Sequence, residues 1–315
     1  MNPTVLCIGG TNLDRKMKLS QPLRMGSSNP VSSQISCGGV ARNVAENLVR
    51  LGIKVVLLSI FSDDLEGNWL LDQTKSMGID SSPSIKLPGK SSGSYTTLND
   101  SDGEMLMAMA DMQIADSINV DQLETIWKTI HLPDAVFLDT NFPKPVIQWI
   151  IDQCRKSSLE LHVDPVSVAK TLKLPESLEG IHTLHPNLAE LESLTRNSLS
   201  SQQQQIDACK HLLHRGVKHV VLSLGASGIV WVGEDTLFSL PAKRLKAQDV
   251  TGAGDALCAG ILWGHLMGCS KKTSSEAGMM MAAKTMESHS SVWTGLQPSF
   301  LEPLLIKENK PNHAC

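Results

Sequence analysis

Cys37–Ile60 reads CGGVARNVAENLVRLGIKVVLLSI, and this stretch sets the fold class. Val40, Val44, Leu48 and Leu51 recur at three- or four-residue steps, which places them on one face of a helix over Gly39–Leu51. An apolar run of strand length, Val55–Ser59, comes directly after it. The same pairing repeats along the chain. Further strands are predicted at Val5–Ile8, Ala135–Leu138, Leu159–Val163 and Val220–Leu224. Further helices are predicted at Leu65–Met77, Pro145–Lys156, Asn187–Leu194 and Gln202–Arg215. Strand–helix alternation of this kind demands a central, mainly parallel sheet flanked by helices on both faces. The fold class is α/β.

Two stretches break the rhythm. Lys16–Ser36 is polar and alternating, and Ser91–Met109 (SSGSYTTLNDSDGEMLMAM) reads as two short strands joined by a turn at Asp100–Gly103. Together they are expected to form a small antiparallel layer outside the main sheet; surface loops with an edge hairpin are the alternative. Ser198–Gln205 (SLSSQQQQ) is a polar lead into a helix, and the chain from Lys307 is a polar tail expected to fray. The expected organisation is a single domain over 1–306, with extra-sheet segments near 15–37 and 88–112 and a tail at 307–315.

Composition narrows the function. Of 315 residues, 41% are hydrophobic, enough for a sizeable core. The net charge of −4 comes without a basic stripe, which argues against a nucleic acid polymer as partner. No run of about 18 apolar residues predicts a membrane span, and the N-terminus lacks the basic region of a signal peptide. Seven cysteines, odd in number and never spaced C-x-x-C, read as reduced thiols of a cytoplasmic protein.

The strongest chemical signal is DVTGAGD, Asp249–Asp255, running into ALCAGILWGHL of helical composition. A Gly-Ala-Gly turn entering a helix directs unpartnered backbone N–H groups at one point, an anion hole suited to the phosphates of ATP. Asp255, in the first turn, is placed to accept a proton from an attacking hydroxyl; simple capping or charge–dipole stabilisation is its bland alternative.

Weaker signals cluster elsewhere. Gly38 and Gly39 open a helix with Asn43 one turn in, where an amide can donate to and accept from sugar hydroxyls; a tight turn with a solvated Asn43 is the other reading. GTNLD, Gly10–Asp14, follows the first strand at the sheet edge where ligands of open α/β folds sit. In extended chain, Asn12 and Asp14 project to one side; a plain turn is the other reading. Asn187 and Glu190 form either a capping box or a phosphate and Mg²⁺ motif. Ser223–Gly228 (SLGASG) is a nucleotide cradle or a hairpin turn. The dinucleotide fingerprint, the P-loop and the protein-kinase motifs are missing. His182/His185 and His211/His214 lack a third metal ligand, and the Met279–Met281 cluster reads as helix packing.

GTNLD, the GG…N helix, PNLAE and DVTGAGD, in this order and at these separations, resemble the PfkB/ribokinase family of carbohydrate and nucleoside kinases, from about Val5 to Ser288. The resemblance implies a ribokinase-like sheet whose nonconforming strands form a β-strand lid over a sugar site. It implies transfer of the ATP γ-phosphate to a primary hydroxyl, with Asp255 as base and Gly252, Ala253 and Gly254 as anion hole. Asn12, Asp14, Gly38, Gly39 and Asn43 match sugar-holding positions. Asn187 and Glu190 match the phosphate motif, Glu190 reaching Mg²⁺ through water, and Ser223, Gly225 and Gly228 match the nucleotide loop. Members that need a monovalent cation such as K⁺ bind it near the positions of Asp249 and Thr251.

Within the family, SSNP, GGVARN, GEMLMAMADMQIA, VDPVSVAK and IHTLHPN are most similar to the bacterial pseudouridine kinases. The acceptor implied is the 5′-hydroxyl of pseudouridine. Ser94, Thr96 and Met105–Met112 would then serve the base, and Asp139 and Asn141, at a strand end, would be further sugar contacts or a plain turn. One departure is His185, where relatives often carry Lys. Kinases acting on ribose, fructose or a purine nucleoside, a non-catalytic sugar or nucleoside sensor, and a nicotinamide-dependent oxidoreductase are the competing readings. Lid edges that pair would make a homodimer.

Overall fold

In the strand Thr4–Ile8 neighbouring residues serve opposite sides of the molecule. Val5 and Cys7 pack with Val44 and Leu48, while Leu6 and Ile8 pack with Ile147 and Ile151, all fully or almost fully buried. A strand apolar on both faces must lie in the middle of a sheet covered on both sides. The computed structural model, which describes residues 3–245 and 247–308, has that architecture. Its eight-stranded sheet runs in the order Thr236–Leu240, Ile229–Gly233, His219–Ser223, Thr183–Leu184, Glu160–Asp164, Ala135–Asp139, Thr4–Ile8, Lys54–Leu58. Pairing is parallel from Lys54–Leu58 to His219–Ser223 and antiparallel over the last two strands.

The helix of the opening stretch spans Val40–Arg50. Full burial of Val44 and Leu48 contributes about 1.5–3 kcal/mol each in transfer terms. Beside it lies the helix Ala253–Leu266, which presents Ala256, Ala259 and Leu262 to the same core. A further helix, Lys271–Met286, packs onto Ala253–Leu266 at very close range. A Cβ on Gly260 would fall 2.5 Å from the Gly278 Cα, so glycine is needed at that crossing.

The segments outside the rhythm form a four-stranded sheet, in the order Val31–Gly38, Asn12–Leu19, Ser94–Asn99, Met105–Asp111. The expectation of an antiparallel layer needs correction, because the central pair, Asn12–Leu19 with Ser94–Asn99, is parallel and only the outer two pairs are antiparallel. These two strands lie far apart in the chain, so no hairpin constrains their direction. The Asp100 turn is as expected: its carboxylate accepts from the Glu104 N–H, and Gly103 takes φ 98°. Among the described residues no helix is long and apolar enough to cross a membrane. Lys307 belongs to the helix Glu302–Glu308; the rest of the expected tail, 309–315, lies outside the described residues.

Candidate active site

Asp139 ends its strand fully buried and is held by the chain itself. One oxygen accepts from the N–H groups of Gly10 (2.9 Å) and Ala41 (3.0 Å), the other from Asn141 N–H (2.9 Å). Three of the four lone-pair sites of its carboxylate are taken. These bonds tie the GTNLD loop and the GG helix to the sheet edge. Gly9 has to be glycine because a Cβ would overlap the Asp139 carboxylate. The neighbouring Asn141 lies over Gly10 and has its side-chain oxygen held by Lys170 and its carbonyl by Lys173.

Asn12 and Asp14 do project to one side, with the Asn12 amide donating to Asp14 Oδ1 at 2.6 Å. The paired glycines separate into two tasks. A Cβ at Gly38 would sit 2.3 Å from Asp14 Oδ1, so Gly38 makes room for that carboxylate. Gly39 adopts φ 100° and lies against the Gly10 carbonyl, where a Cβ would come to 2.3 Å. Burial raises the Asp14 carboxyl above its ordinary value, opposed by the Asn12 bond and by Lys16 and Arg42 nearby.

One turn into the helix, buried Asn43 donates its Nδ2 to Asp255 Oδ2 at 2.8 Å. This contact joins residues 212 apart in sequence and brings the sugar-side residues to the anion-hole helix. Burial pushes the Asp255 carboxyl up to about 7, with Asp139 and Asp14 adding and the Asn43 bond opposing. A carboxyl titrating there is suited to general base work at neutral pH. Asn43 Oδ1 and Thr11 Oγ1 are buried without a partner among the described residues. Buried polar atoms left unpaired in this way are places where a ligand hydroxyl or an ordered water would bind.

At the anion hole, Gly252 is the N-cap of Ala253–Leu266 at φ 80°, with no side-chain cap, and a Cβ there would meet the Ser291 carbonyl at 1.9 Å. The Ala253 N–H turns back to the Val250 carbonyl at 3.3 Å. The N–H groups of Gly252 and Gly254 enter no hydrogen bond among the described residues, and a Cβ on Gly254 would find open space. Of the three N–H groups expected to form the hole, those of Gly252 and Gly254 remain free among the described residues. A cavity of about 450 Å³ opens beside Gly254, lined by Ser223, Gly225, Gly228, Leu257, Met279 and Met286 among others. Its volume, its apolar methionine wall and its adjoining N–H groups suit a nucleotide-sized ligand.

The Asn187–Glu190 capping box forms: Asn187 Oδ1 accepts from Glu190 N–H and Glu190 Oε2 from Asn187 N–H. Glu190 Oε1 takes part in no bond among the described residues and is the atom that could hold a water on Mg²⁺. Ser223 N–H donates to the Pro186 carbonyl at 2.9 Å, stitching the nucleotide loop to the Asn187 motif. Ser223 ends one strand and Gly228 precedes the next, so this loop is also the hairpin turn. His185 brings no charge to this side. It is buried, pairs through Nε2 with His162 Nδ1 at 3.1 Å, and burial lowers its pKa to about 3.

At the expected monovalent cation position the Asp249 carboxylate is already engaged on both oxygens. Asp249 Oδ1 accepts from the Thr251 N–H at 2.8 Å, and Asp249 Oδ2 is ion-paired with the ammonium of Lys16. Thr251 meets Asp249 through both its backbone N–H and its side chain. A mobile cation at Asp249 would meet an ammonium already in contact with the carboxylate.

Strand register corrects the lid assignment. Ser94 pairs with Leu13 and Thr96 with Arg15, so both lie on the face opposite Asn12 and Asp14. Tyr95 pairs with Asp14 and Thr97 with Lys16, and across the next pairing Ala110 and Ala108 join them. The face shared with Asp14 therefore carries Tyr95 and Thr97, which sequence reading missed because alternation has no phase until register is known. Along Met105–Asp111, Met107 and Met109 fall on the face of Leu98 and Thr96, and all seven residues are exposed. Asp164 was also missed. It ends Glu160–Asp164 as Asp139 ends its strand, and burial, with Glu190 and Asp255 close by, raises its carboxyl well above the ordinary value. Its position at the carboxyl edge was the available signal.

A model described as the pfkB family of carbohydrate kinases matches residues 2–293. The pseudouridine kinase of Escherichia coli (strain K12) is 34% identical over 259 residues, covering 82% of this chain and 82% of its own. The guanosine-inosine kinase of Exiguobacterium acetylicum is 26% identical over 95% of this chain and 99% of its own. Among solved structures, a carbohydrate kinase from Agrobacterium tumefaciens, 26% identical, superposes with a TM-score of 0.83 over 97% of each chain.

Proposed function

The chain belongs to the pfkB family of carbohydrate kinases, phosphotransferases with an alcohol group as acceptor, and we propose that it transfers the γ-phosphoryl group of ATP to the 5′-hydroxyl of pseudouridine. The observation that carries this reading is the buried Asn43–Asp255 contact, which sets a base of pKa about 7 between the Asp14 pocket and the Gly254 anion hole. Asp14, Asn12 and the Asn43 oxygen hold the ribose hydroxyls. Asp255 accepts the 5′-hydroxyl proton as that oxygen attacks phosphorus. The Gly252 and Gly254 N–H groups stabilise negative charge on the transferred group. Mg²⁺, when bound, neutralises charge on the phosphate oxygens; Glu190 is the residue that would hold it, through water. Positioning carries most of the remaining rate.

Pseudouridine, rather than another sugar, is supported by the E. coli relative and by the lid face. Tyr95, the one tyrosine of the chain, shares the face of Asp14 and supplies a ring for a base attached at C1 of ribose. Both outer lid strands are free edges among the described residues, and Ile35 and Met109 on them are exposed, which supports pairing between two copies; light scattering at the molar mass of one or two chains tests it.

The deciding experiment measures ADP release with Mg-ATP on pseudouridine, uridine, ribose, fructose and adenosine. Turnover of pseudouridine well above uridine is expected. Preference for another sugar or nucleoside removes the substrate assignment and leaves the base assignment standing. No turnover on any of them supports a sensor.

A further inference from the structure

The strand Asn12–Leu19 carries more than the sugar-side residues. Two positions beyond Asp14, and by alternation on the same face, Lys16 extends to the DVTGAGD turn and ion-pairs with Asp249. The two side chains are 29% and 23% exposed, so the pair is partly shielded from solvent screening. The turn is held from the other side as well. Asp249 Oδ1 accepts from the Thr251 N–H, and the Gln248 N–H donates to the Met286 carbonyl at 2.8 Å. Three residues after Asp249 come Gly252 and the N–H groups of the anion hole.

We infer that the Lys16 ammonium is a built-in cation: it neutralises Asp249 and fixes the Asp249–Gly254 turn, so that phosphoryl transfer by this protein needs no K⁺. The carboxylate has one charge, and the ammonium already meets it. A second cation would have to displace a tethered one, whose effective concentration at the site is set by eight residues of ordered strand rather than by the solution. A consequence follows for the order of assembly. A free ion would set the anion hole independently of the lid, whereas Lys16 sets it only when the strand bearing Asn12 and Asp14 is in place. Lys16 is thus a positioning residue that couples the sugar side to the phosphate side.

This inference rests on the kinase reading, and its test separates the two. Melting temperature is measured in KCl and in choline chloride at equal ionic strength, for the wild type and for Lys16→Met; turnover is then compared in the same salts. The wild type is expected to show the same melting temperature and turnover in both salts, within about two-fold for turnover. Lys16→Met is expected to lose about ten-fold in turnover in choline and to be stabilised and partly restored by K⁺. Lys16→Arg, which keeps the charge, should retain indifference to K⁺. Stabilisation or about ten-fold activation of the wild type by K⁺ overturns the inference, as does a Lys16→Met protein indistinguishable from wild type in choline. If no sugar turns over, the kinase reading fails, and the melting comparison still decides whether the wild type binds K⁺.

Discussion

Replacing Asp255 by asparagine should make the protein less active and more stable, and the size of the gain follows from its burial. The carboxyl sits at 9% exposure with its pKa moved from 3.8 to about 7, burial being the largest cause. Between these values the unfolded chain ionises the group while the folded chain keeps it protonated. Folding then takes up a proton, and stability falls as pH rises through the window. The loss is about 1.4 kcal/mol per pH unit, is absent below pH 4 and levels off above pH 7 at about 4 kcal/mol. Asp255→Asn removes the ionisation but keeps an oxygen to accept from Asn43. Urea unfolding of both proteins at pH 4, 6 and 8 should give curves that coincide at pH 4 and diverge toward pH 8, the variant being more stable. Turnover should fall by about 10²–10⁴. Equal stability of the two proteins at every pH would refute the buried-acid argument, and near-normal turnover would remove the base.

The same group sets the pH–rate profile: kcat/KM should rise about tenfold per pH unit below 7 and flatten above it, because the base works ionised. A profile already flat from pH 5 would exclude Asp255 as the titrating group. Gly38→Ala places a methyl against Asp14 and should raise KM for the sugar about ten- to a hundred-fold with KM for ATP little changed; parallel changes in both would contradict the division of the site. Tyr95→Ala should cut the preference for a nucleoside over free ribose about ten-fold. Thr96→Ala, on the other lid face, should leave it unchanged in the same competition assay.

The parallel sheet was legible because its strands are apolar on both faces and its helices carry a clear period, as in Val40, Val44, Leu48. Expected and observed boundaries there differ by about a residue, Gly39–Leu51 against Val40–Arg50. The helix Lys271–Met286 left a fainter trace. It is flanked closely by its neighbour and built from small residues and methionines, so no apolar stripe marks its core face. Asp255, Asn43 and the glycine turns could be picked out because backbone conformation and anion geometry restrict residue type. Lid facing could not. Ser94 and Tyr95 differ by one position, and only the pairing of Leu13 with Ser94 decides which of them looks inward. Lys16 was invisible for a related reason: an ion pair spanning 233 positions leaves no local pattern.

That span also bears on how the protein is made. Asn43 meets Asp255 across 212 residues and Lys16 meets Asp249 across 233, so the sugar-side groups leave the ribosome long before their phosphate-side partners exist. Residues 4 to 223 can already lay down the parallel strands, and the Asp139 carboxylate can already gather the Gly10 and Ala41 loops. A nascent chain at that stage is a scaffold without a base. Contacts this remote in sequence close slowly. Synthesis therefore delays the proposed site until the last quarter of the chain arrives, when Asp249, Gly252, Gly254 and Asp255 enter together within seven residues.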